Sequence, residues 1–341
     1  MSILRMELGE KSYDIVVERG AIKKSNSLLN LNRRVLILTD KGVPEEYAMQ
    51  IAESCREPHI VRLEQGESNK CIETYCDILK TMVDAEFDRK DCVVAVGGGV
   101  MGDLAGFVAS TYMRGIDFYN VPTTLLAQID SSIGGKVAVD FAGYKNIVGA
   151  FYQPKAVLVD PNVLDTLSPR QFSCGMAEAI KMFATSDAEM FEELEKSGTD
   201  TNIDKIILRS LMIKKSVVEQ DEKESGLRKI LNFGHTVGHA IESLTENDEN
   251  SLLHGECVGT GMLCMSSPKV RERIKAVLES FNLPTSWTGD AEEIRKAILH
   301  DKKASGDKIT VIKVNEIGSF EMEQLTANQI IEQSREVLSL S

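Results

Sequence analysis

The sequence predicts an α/β fold, in which an N-terminal doubly wound, mostly parallel sheet is followed by an all-α C-terminal domain. Over residues 1–160, short runs rich in valine and isoleucine alternate with helix-like stretches, and the runs show little polar alternation. Such strands are covered by helices on both faces. The β-branched runs give way to helical patterns near Pro154, Pro161 and Pro169. We therefore expect an α/β domain over 1–160 and a mainly helical domain over 161–341.

Each element is predicted from its hydrophobic period. In the first domain, the predicted strands are 13–17, 35–38, 59–63, 92–96, 118–121 and 156–159, and helices are expected over 44–54 and 70–85. In the second domain, the helical period predicts helices over 169–185, 188–196, 203–223, 235–243 and 270–281. A short strand pair is expected late in the chain, near 309–314 and 319–322.

The composition excludes several classes of partner. The 341-residue chain has a formal net charge of −13, whereas nucleic acids and anionic membranes require a basic surface, so we expect neither as a partner. No apolar run approaches the roughly 20 residues that span a bilayer, and the N-terminus does not read as a signal peptide. The seven cysteines form no C-x-x-C pair, which favours a reducing, cytoplasmic location.

A glycine-rich turn follows one of the apolar strands. Residues 93–103 read V-V-A-V-G-G-G-V-M-G-D and precede a helix-like run. Glycines let backbone N–H groups approach a phosphate, and the helix N-terminus adds the positive end of its dipole. The motif predicts nucleotide binding in a Rossmann-like domain, and a tight turn without a ligand is the alternative. Its spacing differs from G-x-G-x-x-G and it follows a late strand, which disfavours a standard Rossmann half-domain but leaves dinucleotide binding open.

A second polar segment, which we interpret as a loop, covers residues 123–136 and reads T-T-L-L-A-Q-I-D-S-S-I-G-G-K. It places Asp130 and Lys136 within seven residues of each other, and Lys145 and Asn146 follow a turn at Gly143. Backbone N–H groups beside a lysine can hold an oxyanion. A solvated loop is the alternative, although the position of the segment before the helical domain favours a cleft.

Three of the five histidines cluster in the second domain. His235 and His239 are four residues apart on one helical face, and His254 follows a polar turn. Upstream, Glu178 and Lys181 are three residues apart on another predicted helix. An oxygen ligand and two imidazoles, with one position left open, are typical of a catalytic zinc site. A third histidine would then either hydrogen-bond to one of the metal ligands or face the substrate. The alternative is a set of unrelated surface or core histidines.

A set of basic and amide side chains accompanies these motifs inside an acidic protein. Its members are Arg114, Lys136, Lys145, Lys181, Lys214, Arg228, Asn232, Lys302 and Lys303. Taken singly, each charge would be solvated or part of a surface ion pair. Taken together, they supply more positive charge than one phosphate requires. The set therefore favours a substrate that carries both a phosphate and a carboxylate.

Together, the motifs resemble the 3-dehydroquinate synthase family of sugar phosphate cyclases over nearly the whole chain. The resemblance rests on G-G-G-V-M-G-D, D-S-S-I-G-G-K, K-N, A-F-Y-Q-P, A-E-A-I-K, D-E-K-E-S-G-L-R and L-N-F-G-H-T-V-G-H-A-I-E. It implies the dehydroquinate synthase-like fold, an NAD cofactor and one divalent metal ion per subunit, either zinc or cobalt. It also implies a homodimer, in which Arg114 lies near the neighbouring site.

The resemblance implies a residue set for each ligand. It implies a metal ion held by Glu178, His235 and His254. The implied NAD-binding residues are Asp40, Gln65, Gly66, Glu67, Ser68, Asn69, Lys70, Gly99, Val100, Met101, Gly102, Asp103, Thr123, Thr124, Lys136, Lys145, Val163, Leu164, Asp165 and Thr166. The implied substrate residues are Asp130, Lys136, Lys145, Asn146, Lys181, Lys214, Arg228, Asn232, His239 and Lys303, with Lys302 as the alternative to Lys303.

The activity implied by the resemblance is that of a phosphorus–oxygen lyase of the shikimate pathway. The substrate would be 3-deoxy-D-arabino-heptulosonate 7-phosphate (DAHP), and the products 3-dehydroquinate and phosphate. The implied route is oxidation by NAD, phosphate elimination, reduction, ring opening and an intramolecular aldol reaction. Three alternatives stay open: another sugar phosphate cyclase, a metal-dependent glycerol or alcohol dehydrogenase of the same fold, and a nucleotide-binding module without catalysis.

Overall fold

A computed structural model describes residues 1–245, 251–301 and 308–341 of the chain. The chain divides into two compact units, Met1–Leu167 and Ser168–Ser341. Lys302 and Lys303, which were assigned to the substrate above, lie outside the described residues. Among the described residues, none of the helices has both the length and the apolar character needed to span a membrane.

The first unit is built on one large sheet. Its strands are β1 (Ser2–Met6), β2 (Tyr13–Val17), β3 (Arg34–Asp40), β4 (Glu57–Leu63), β5 (Cys92–Gly97), β6 (Asp117–Pro122), β7 (Lys136–Phe141), β8 (Tyr144–Phe151) and β9 (Ala156–Val159). Seven of them form the sheet, in the order β1-β2-β9-β6-β5-β3-β4. Only β1 runs antiparallel to its neighbour, and the other neighbouring pairs are parallel. The predicted mostly parallel sheet is therefore confirmed.

Helices cover both faces of this sheet. They are α1 (Ser25–Leu28), α2 (Glu45–Ala52), α3 (Ile72–Asp84) and α4 (Gly99–Thr111). Val35 and Ile37 of β3 pack into one apolar cluster with residues of α2, whereas Leu36 and Leu38 pack into a second cluster with residues of α3 and α4. Because alternate residues of a strand point to opposite faces, both sets must be apolar. This explains why the central strands show no polar alternation.

The chain reverses its direction of progress across the sheet between β3 and β5. From β3 the chain passes to β4 on one side, and the next strand, β5, lies on the other side of β3. The loops that follow β3 and β5 therefore diverge and leave a crevice at the carboxyl ends of these strands. Ligands of open α/β sheets bind at such a position.

The segment 123–136 is not the loop that we expected. A helical stretch ends in a π-helical turn, Ala127–Ser131, which carries Asp130, and Lys136 begins β7, which pairs antiparallel with β8. The prediction of a loop was wrong because the segment also contains apolar residues that are buried, although its polar residues suggested a surface position. Leu125 and Ile129 have no exposed surface, so the segment packs into the core rather than over the surface.

The described part of the second unit is mainly helical. Its helices are α5 (Pro169–Ser186), α6 (Ala188–Ser197), α7 (Ile203–Gln220), α8 (His235–Thr245), α9 (His254–Cys264), α10 (Pro268–Ser280), α11 (Ala291–Asp301) and α12 (Ala327–Ser334). Its strands are β10 (Thr288–Gly289), β11 (Ile309–Lys313), β12 (Glu321–Leu325) and β13 (Ser339–Leu340), which form two two-stranded sheets. The antiparallel pair β11–β12 corresponds to the strand pair expected late in the chain.

Helix α5 lies at the centre of this unit. Every residue from Cys174 to Thr185 is buried, and α5 packs against α6, α7, α9 and α10. A helix surrounded in this way buries its polar residues together with its apolar ones, so Glu178 and Lys181 are carried into the interior. Buried charges of this kind require partners.

A substitution at Gly106 tests the packing of α4 against the large sheet and against the antiparallel hairpin β7–β8. A Cβ atom at this position would lie 2.3 Å from Val137 Cγ1 and 3.1 Å from Phe118 Cζ. At a helix position with room for a Cβ atom, replacing glycine with alanine raises the free energy of unfolding by roughly 0.5–1 kcal/mol. We expect Gly106→Ala to lower the free energy of unfolding by about 1–3 kcal/mol instead, because the site is overpacked.

Thermal denaturation measures this effect. Ser110→Ala on the same helix is the matched control, since its hydroxyl donates only to the carbonyl of Phe107 within the helix. An unchanged or raised Tm for Gly106→Ala would contradict the packing described here.

Candidate active site

Residues from three helices of the second unit meet in one place. Glu178 lies on α5, His235 and His239 lie on α8, and His254 is the first residue of α9. The centroids of the imidazole rings are 5.1–5.6 Å apart. Oε1 of Glu178 lies 3.3 Å from Nε2 of His254 and 3.7 Å from Nε2 of His235. We call this group the metal cluster.

The spacing of these atoms fits a divalent ion. A tetrahedral ion with Zn–N and Zn–O bonds near 2.0–2.1 Å keeps neighbouring ligand atoms about 3.4 Å apart. The two Glu178–histidine separations lie close to that value. Both carboxylate oxygens of Glu178 are buried: Oε2 contacts the Lys181 ammonium, and Oε1 faces the Nε2 atoms of the two imidazoles. Since buried polar atoms are normally paired, these oxygens are suited to a cation.

His239 offers an alternative third ligand. Its ring nitrogen, with those of His235 and His254, belongs to a group whose atoms all lie within 4.8 Å of one another. The two possible sets, with Glu178 or with His239, share the same two imidazoles. The set with Glu178 places an anionic ligand on the ion and compensates a buried charge, which favours it.

A second hydrogen bond orients each of the two shared histidines. Nδ1 of His235 lies 3.2 Å from the carbonyl oxygen of Phe233, and Nδ1 of His254 lies 2.8 Å from Oε2 of Glu242. Both acceptors require a proton on Nδ1, which leaves Nε2 of each ring facing Glu178. We did not name Glu242 from the sequence. The available signal was its spacing, three residues after His239 on the same helix.

The charges in the metal cluster are strongly coupled. Burial alone would raise the pKa of Glu178, but the ammonium of Lys181 and the imidazoles of His235 and His254 hold it well below its usual value. Burial and the nearby Lys181 ammonium lower the pKa of His235. Burial alone would lower the pKa of His254, but hydrogen bonds to Glu178 and Glu242 raise it to about 10. The carboxylates on either side of His254 thus favour a positive charge between them.

An ion pair holds the start of α9 against α5. Arg170 donates from Nε and Nη2 to the two carboxylate oxygens of Glu256, each at 2.7 Å. Glu256 in turn accepts from the backbone N–H of Leu253 at 2.7 Å, which caps the helix that begins at His254. A bidentate arginine–carboxylate pair has a defined geometry, so it fixes the position of His254 relative to α5.

The second unit also buries three cationic side chains that we had assigned to the substrate. Lys181 is 1% exposed, Arg228 3% and Lys214 5%. Lys181 pairs with Glu178 and therefore lies beside the metal cluster. Lys214 lies on α7, and Arg228 lies in the 3-10 helix Leu227–Asn232, which packs against α5 and α7.

Two acidic residues shape the loop before that 3-10 helix, and we did not predict either. Asp221 accepts from the backbone N–H groups of Ser225, Gly226 and Arg228 at 2.7–3.0 Å. These bonds, with that of Arg228 the strongest, hold the pKa of Asp221 far below its usual value. Oε1 of Glu224 accepts from Nδ2 of Asn232 at 2.8 Å. Their signal in the sequence was the acidic run D-E-K-E next to the assigned arginine.

In the first unit, the residues assigned to NAD gather at the carboxyl ends of the strands. Asp40 is the last residue of β3, Gly99 opens α4 just after β5, and Thr123 directly follows β6. Oδ1 of Asp40 accepts from the N–H of Gly42 at 2.8 Å, and the side chain of Gln65 lies against Gly42. These positions border the crevice between β3 and β5.

The glycines after β5 have little space for a side chain. A Cβ atom at Gly98 would lie 3.2 Å from Thr124 Cγ2, and one at Gly99 would lie 3.0 Å from Ser131 Oγ. Among the residues that the structure describes, no side chain caps the first turn of α4, so none of them satisfies its first backbone N–H groups as a cap. A 13-residue helix that begins in this way can bind a phosphate at its N-terminus.

Lys70 links several of the assigned positions. Its side chain is buried, and its Nζ donates to Oδ2 of Asp103 at 2.5 Å and to Oδ1 of Asn146. Glu67 lies 3.6 Å away. Burial alone would lower the pKa of Lys70, but Asp103 and Glu67 raise it above the usual value. The structure therefore brings three residues assigned to NAD together with Asn146, which had been assigned to the substrate.

Other assigned residues are more dispersed. Val163 and Leu164 have buried side chains, which leaves their backbone as the group available to a ligand, and the hydroxyl of Thr166 bonds to that of Tyr47 at 3.0 Å. The remaining positions vary in exposure. The exposed ones are Lys136, Lys145, Arg114, Gly66, Ser68 and Asp165. The half-buried ones are Asn69, Val100, Gly102 and Asp130, and the side chain of Met101 is buried.

A substitution at Gly255 tests the close contact between α5 and α9. A Cβ atom at Gly255 would lie 2.1 Å from the carbonyl oxygen of Cys174, a backbone atom that cannot move aside alone. We expect Gly255→Ala to force the two helices apart, to lower the Tm and to weaken Co²⁺ binding, because Glu178 and His254 would separate.

Gly259→Ala on the same helix is the control. There the nearest atom to a new Cβ is Leu278 Cδ2 at 3.2 Å, the end of a flexible side chain. Equal metal affinities for the two variants, measured by titration, would show that this helix contact does not set the spacing of the metal cluster.

Comparison with known proteins shows one family over most of the chain. Residues 60–174 match the family model described as 3-dehydroquinate synthase N-terminal, and residues 175–304 match that described as 3-dehydroquinate synthase C-terminal. The 3-dehydroquinate synthase of Clostridium beijerinckii is 42% identical to this chain over an alignment of 346 positions, gaps included, which covers 95% of this chain and 98% of the relative.

Solved structures of two other synthases share the fold. A crystal structure of 2-deoxy-scyllo-inosose synthase with carbaglucose-6-phosphate, NAD⁺ and Co²⁺ is 25% identical, with a TM-score of 0.88, and covers 99% of this chain and 100% of that chain. A 2-epi-5-epi-valiolone synthase from Streptomyces hygroscopicus subsp. jinggangensis, with NAD⁺ and Zn²⁺ bound, is 27% identical, with a TM-score of 0.86, and covers 97% of both chains.

Proposed function

The chain belongs to the 3-dehydroquinate synthase family, and from this premise we propose how its residues serve the reaction. The protein is an NAD- and metal-dependent phosphorus–oxygen lyase that converts DAHP into 3-dehydroquinate and phosphate in the shikimate pathway. The observation that carries the proposal is the meeting of Glu178 with His235 and His254 at ligand distances inside the second unit.

The proposed metal ligands are Glu178 Oε1, His235 Nε2 and His254 Nε2. Their separations fit one ion, and the hydrogen bonds at the two Nδ1 atoms leave both Nε2 atoms available. When bound, the divalent ion polarises a substrate hydroxyl, and NAD accepts and returns a hydride. His239, whose ring adjoins both ligand histidines, is left to contact the substrate.

The proposed substrate residues of the second unit supply positive charge and donors. Lys214 and Arg228 are buried cations suited to the substrate carboxylate, since a buried anion requires a paired cation. Asn232 is held by Glu224, and Lys181 by Glu178, so both present their donors from defined positions. Lys303, or Lys302, is kept as a proposed phosphate contact outside the described residues.

In the first unit, we assign NAD to the crevice at the carboxyl ends of β3 and β5. The pyrophosphate would lie against the N–H groups at the start of α4, where the helix dipole favours negative charge. Lys70 would hold Asp103 and Asn146 in place through its buried ammonium. We assign Lys136 and Asn146 to the substrate phosphate, and Lys145 and Asp130 to the substrate hydroxyls.

We also propose a cytoplasmic homodimer in which Arg114 reaches the partner's site. Met113 and Arg114 are successive non-glycine residues with positive φ, 48° and 69°, a strained conformation that a functional requirement would explain. The hairpin β7–β8 exposes apolar side chains, including Ile147 at 60% and Phe151 at 41%, which a partner would cover. The cytoplasmic location agrees with the seven free cysteines.

The substitution His235→Ala tests the metal assignment. It removes one ligand atom, so we expect turnover to be lost while the circular dichroism spectrum stays that of the wild type. Phosphate release from DAHP with catalytic NAD measures turnover. His59→Ala is the control, because His59 lies on β4 of the first unit, whereas the metal cluster is formed by residues of the second unit. Full activity of metal-free His235→Ala would refute the assignment.

The same assay with a chelator tests the function as a whole. We expect phosphate release to stop when the metal is removed and to return on addition of Zn²⁺ or Co²⁺. NADH should not accumulate, because NAD is regenerated in each turnover. Stoichiometric NADH without phosphate release would instead identify a dehydrogenase.

A mixing experiment tests the dimer and Arg114 together. Arg114→Ala and His235→Ala are each expected to be inactive. If Arg114 acts on the partner's site, a mixed dimer contains one complete site, so re-association of equal amounts should restore about a quarter of wild-type activity. No recovery, despite subunit exchange detected by mass spectrometry, would show that Arg114 acts within its own subunit or not at all.

A further inference from the structure

We propose that Glu242 is a positioning residue that orients His254 for the metal ion, and that its removal weakens metal binding without disturbing the fold. The inference rests on the proposed ligand set. Glu242 lies on α8, whereas His254 begins α9, so the contact joins the two helices that carry the histidine ligands.

The geometry is that of a carboxylate behind a ligand histidine. Oε2 of Glu242 lies 2.8 Å from Nδ1 of His254, on the side of the ring opposite to the Nε2 atom that lies 3.3 Å from Glu178. The ring is thus held between two carboxylates. A proton on Nδ1 donated to Glu242 selects the tautomer whose Nε2 lone pair points at the ion.

Burial makes this contact more than a surface ion pair. The side chain of Glu242 is 19% exposed and that of His254 is 30% exposed. A hydrogen bond to a charged acceptor is stronger where the two side chains are partly shielded from water. The bond also raises the basicity of the imidazole, which strengthens its bond to a cation.

The chain provides the two ligand histidines with different acceptors. His235 donates to the backbone carbonyl of Phe233, which lies two residues away and is part of the local fold. His254 is the first residue of its helix and depends on a side chain twelve residues away. His254 is therefore the ligand whose orientation a single substitution can release, and Glu242 is the residue that controls it.

The experiment measures Co²⁺ affinity of the full-length, metal-stripped protein, from the absorption of the bound ion, for Glu242→Met, Glu242→Gln and Ser243→Ala. Glu242→Met keeps the length of the side chain and removes the acceptor, so we expect affinity to fall about 10–100-fold. Glu242→Gln retains an amide oxygen that can accept the bond and should lose less. Ser243→Ala, whose hydroxyl donates to the carbonyl of Ala240 within α8, should bind as the wild type does.

A purely structural role would give a different result. It would lower the Tm of the metal-free Glu242→Met variant and leave its Co²⁺ affinity unchanged, which would overturn the inference. Equal losses in Glu242→Met and Glu242→Gln, or an equal loss in Ser243→Ala, would overturn it as well.

Two further variants separate this inference from the ligand assignment. If Glu178→Gln and His254→Ala lose Co²⁺ binding while Glu242→Met retains it, only the role of Glu242 fails. If Glu178→Gln and His254→Ala both bind Co²⁺ as tightly as the wild type, the proposed ligand set itself is wrong, and the inference that depends on it falls with it.

Discussion

The second unit depends on the compensation of one buried negative charge. Glu178 is 1% exposed and lies in the middle of a helix whose surroundings exclude water. A lone carboxylate there would be strongly disfavoured, yet Lys181, His235 and His254 approach it from three helices and keep it ionised. The arrangement that compensates this charge is also the one that we propose for binding a divalent ion, so in this proposal stability and chemistry share the same contacts.

Close approach of the helices makes that compensation possible. The helices α5 and α9 meet where Gly255 leaves room for the backbone of Cys174, and the N–H of Gly255 donates to Cys174 Sγ at 3.0 Å. The Arg170–Glu256 pair holds the same junction from the outside. Gly255 and one bidentate ion pair thus set the separation of α5 and α9, and with it the distance between Glu178 and His254.

In the first unit, the topology of the sheet determines where a ligand can bind. Its strands end at one edge, and the change of direction between β3 and β5 opens the crevice beside Asp40 and Gly99. At Gly98 and Gly99, glycine is favoured by the limited space beside Thr124 and Ser131, and neither residue has a positive φ. The space around the glycine-rich turn is therefore limited by residues that belong to a later segment of the chain.

Local properties were readable from the sequence, and long-range pairings were not. The apolar strands, the helical period and the placing of His235 and His239 on one face follow from residues close together in the chain, and these predictions agree with the structure. The motifs also identified the family. The hairpin β7–β8 and the buried course of the segment 123–136 were missed, since burial depends on what packs against a segment. The partnership of Glu242 with His254 and that of Lys70 with Asn146 were decided by tertiary structure alone, because they depend on how helices and strands stack, which no local period encodes.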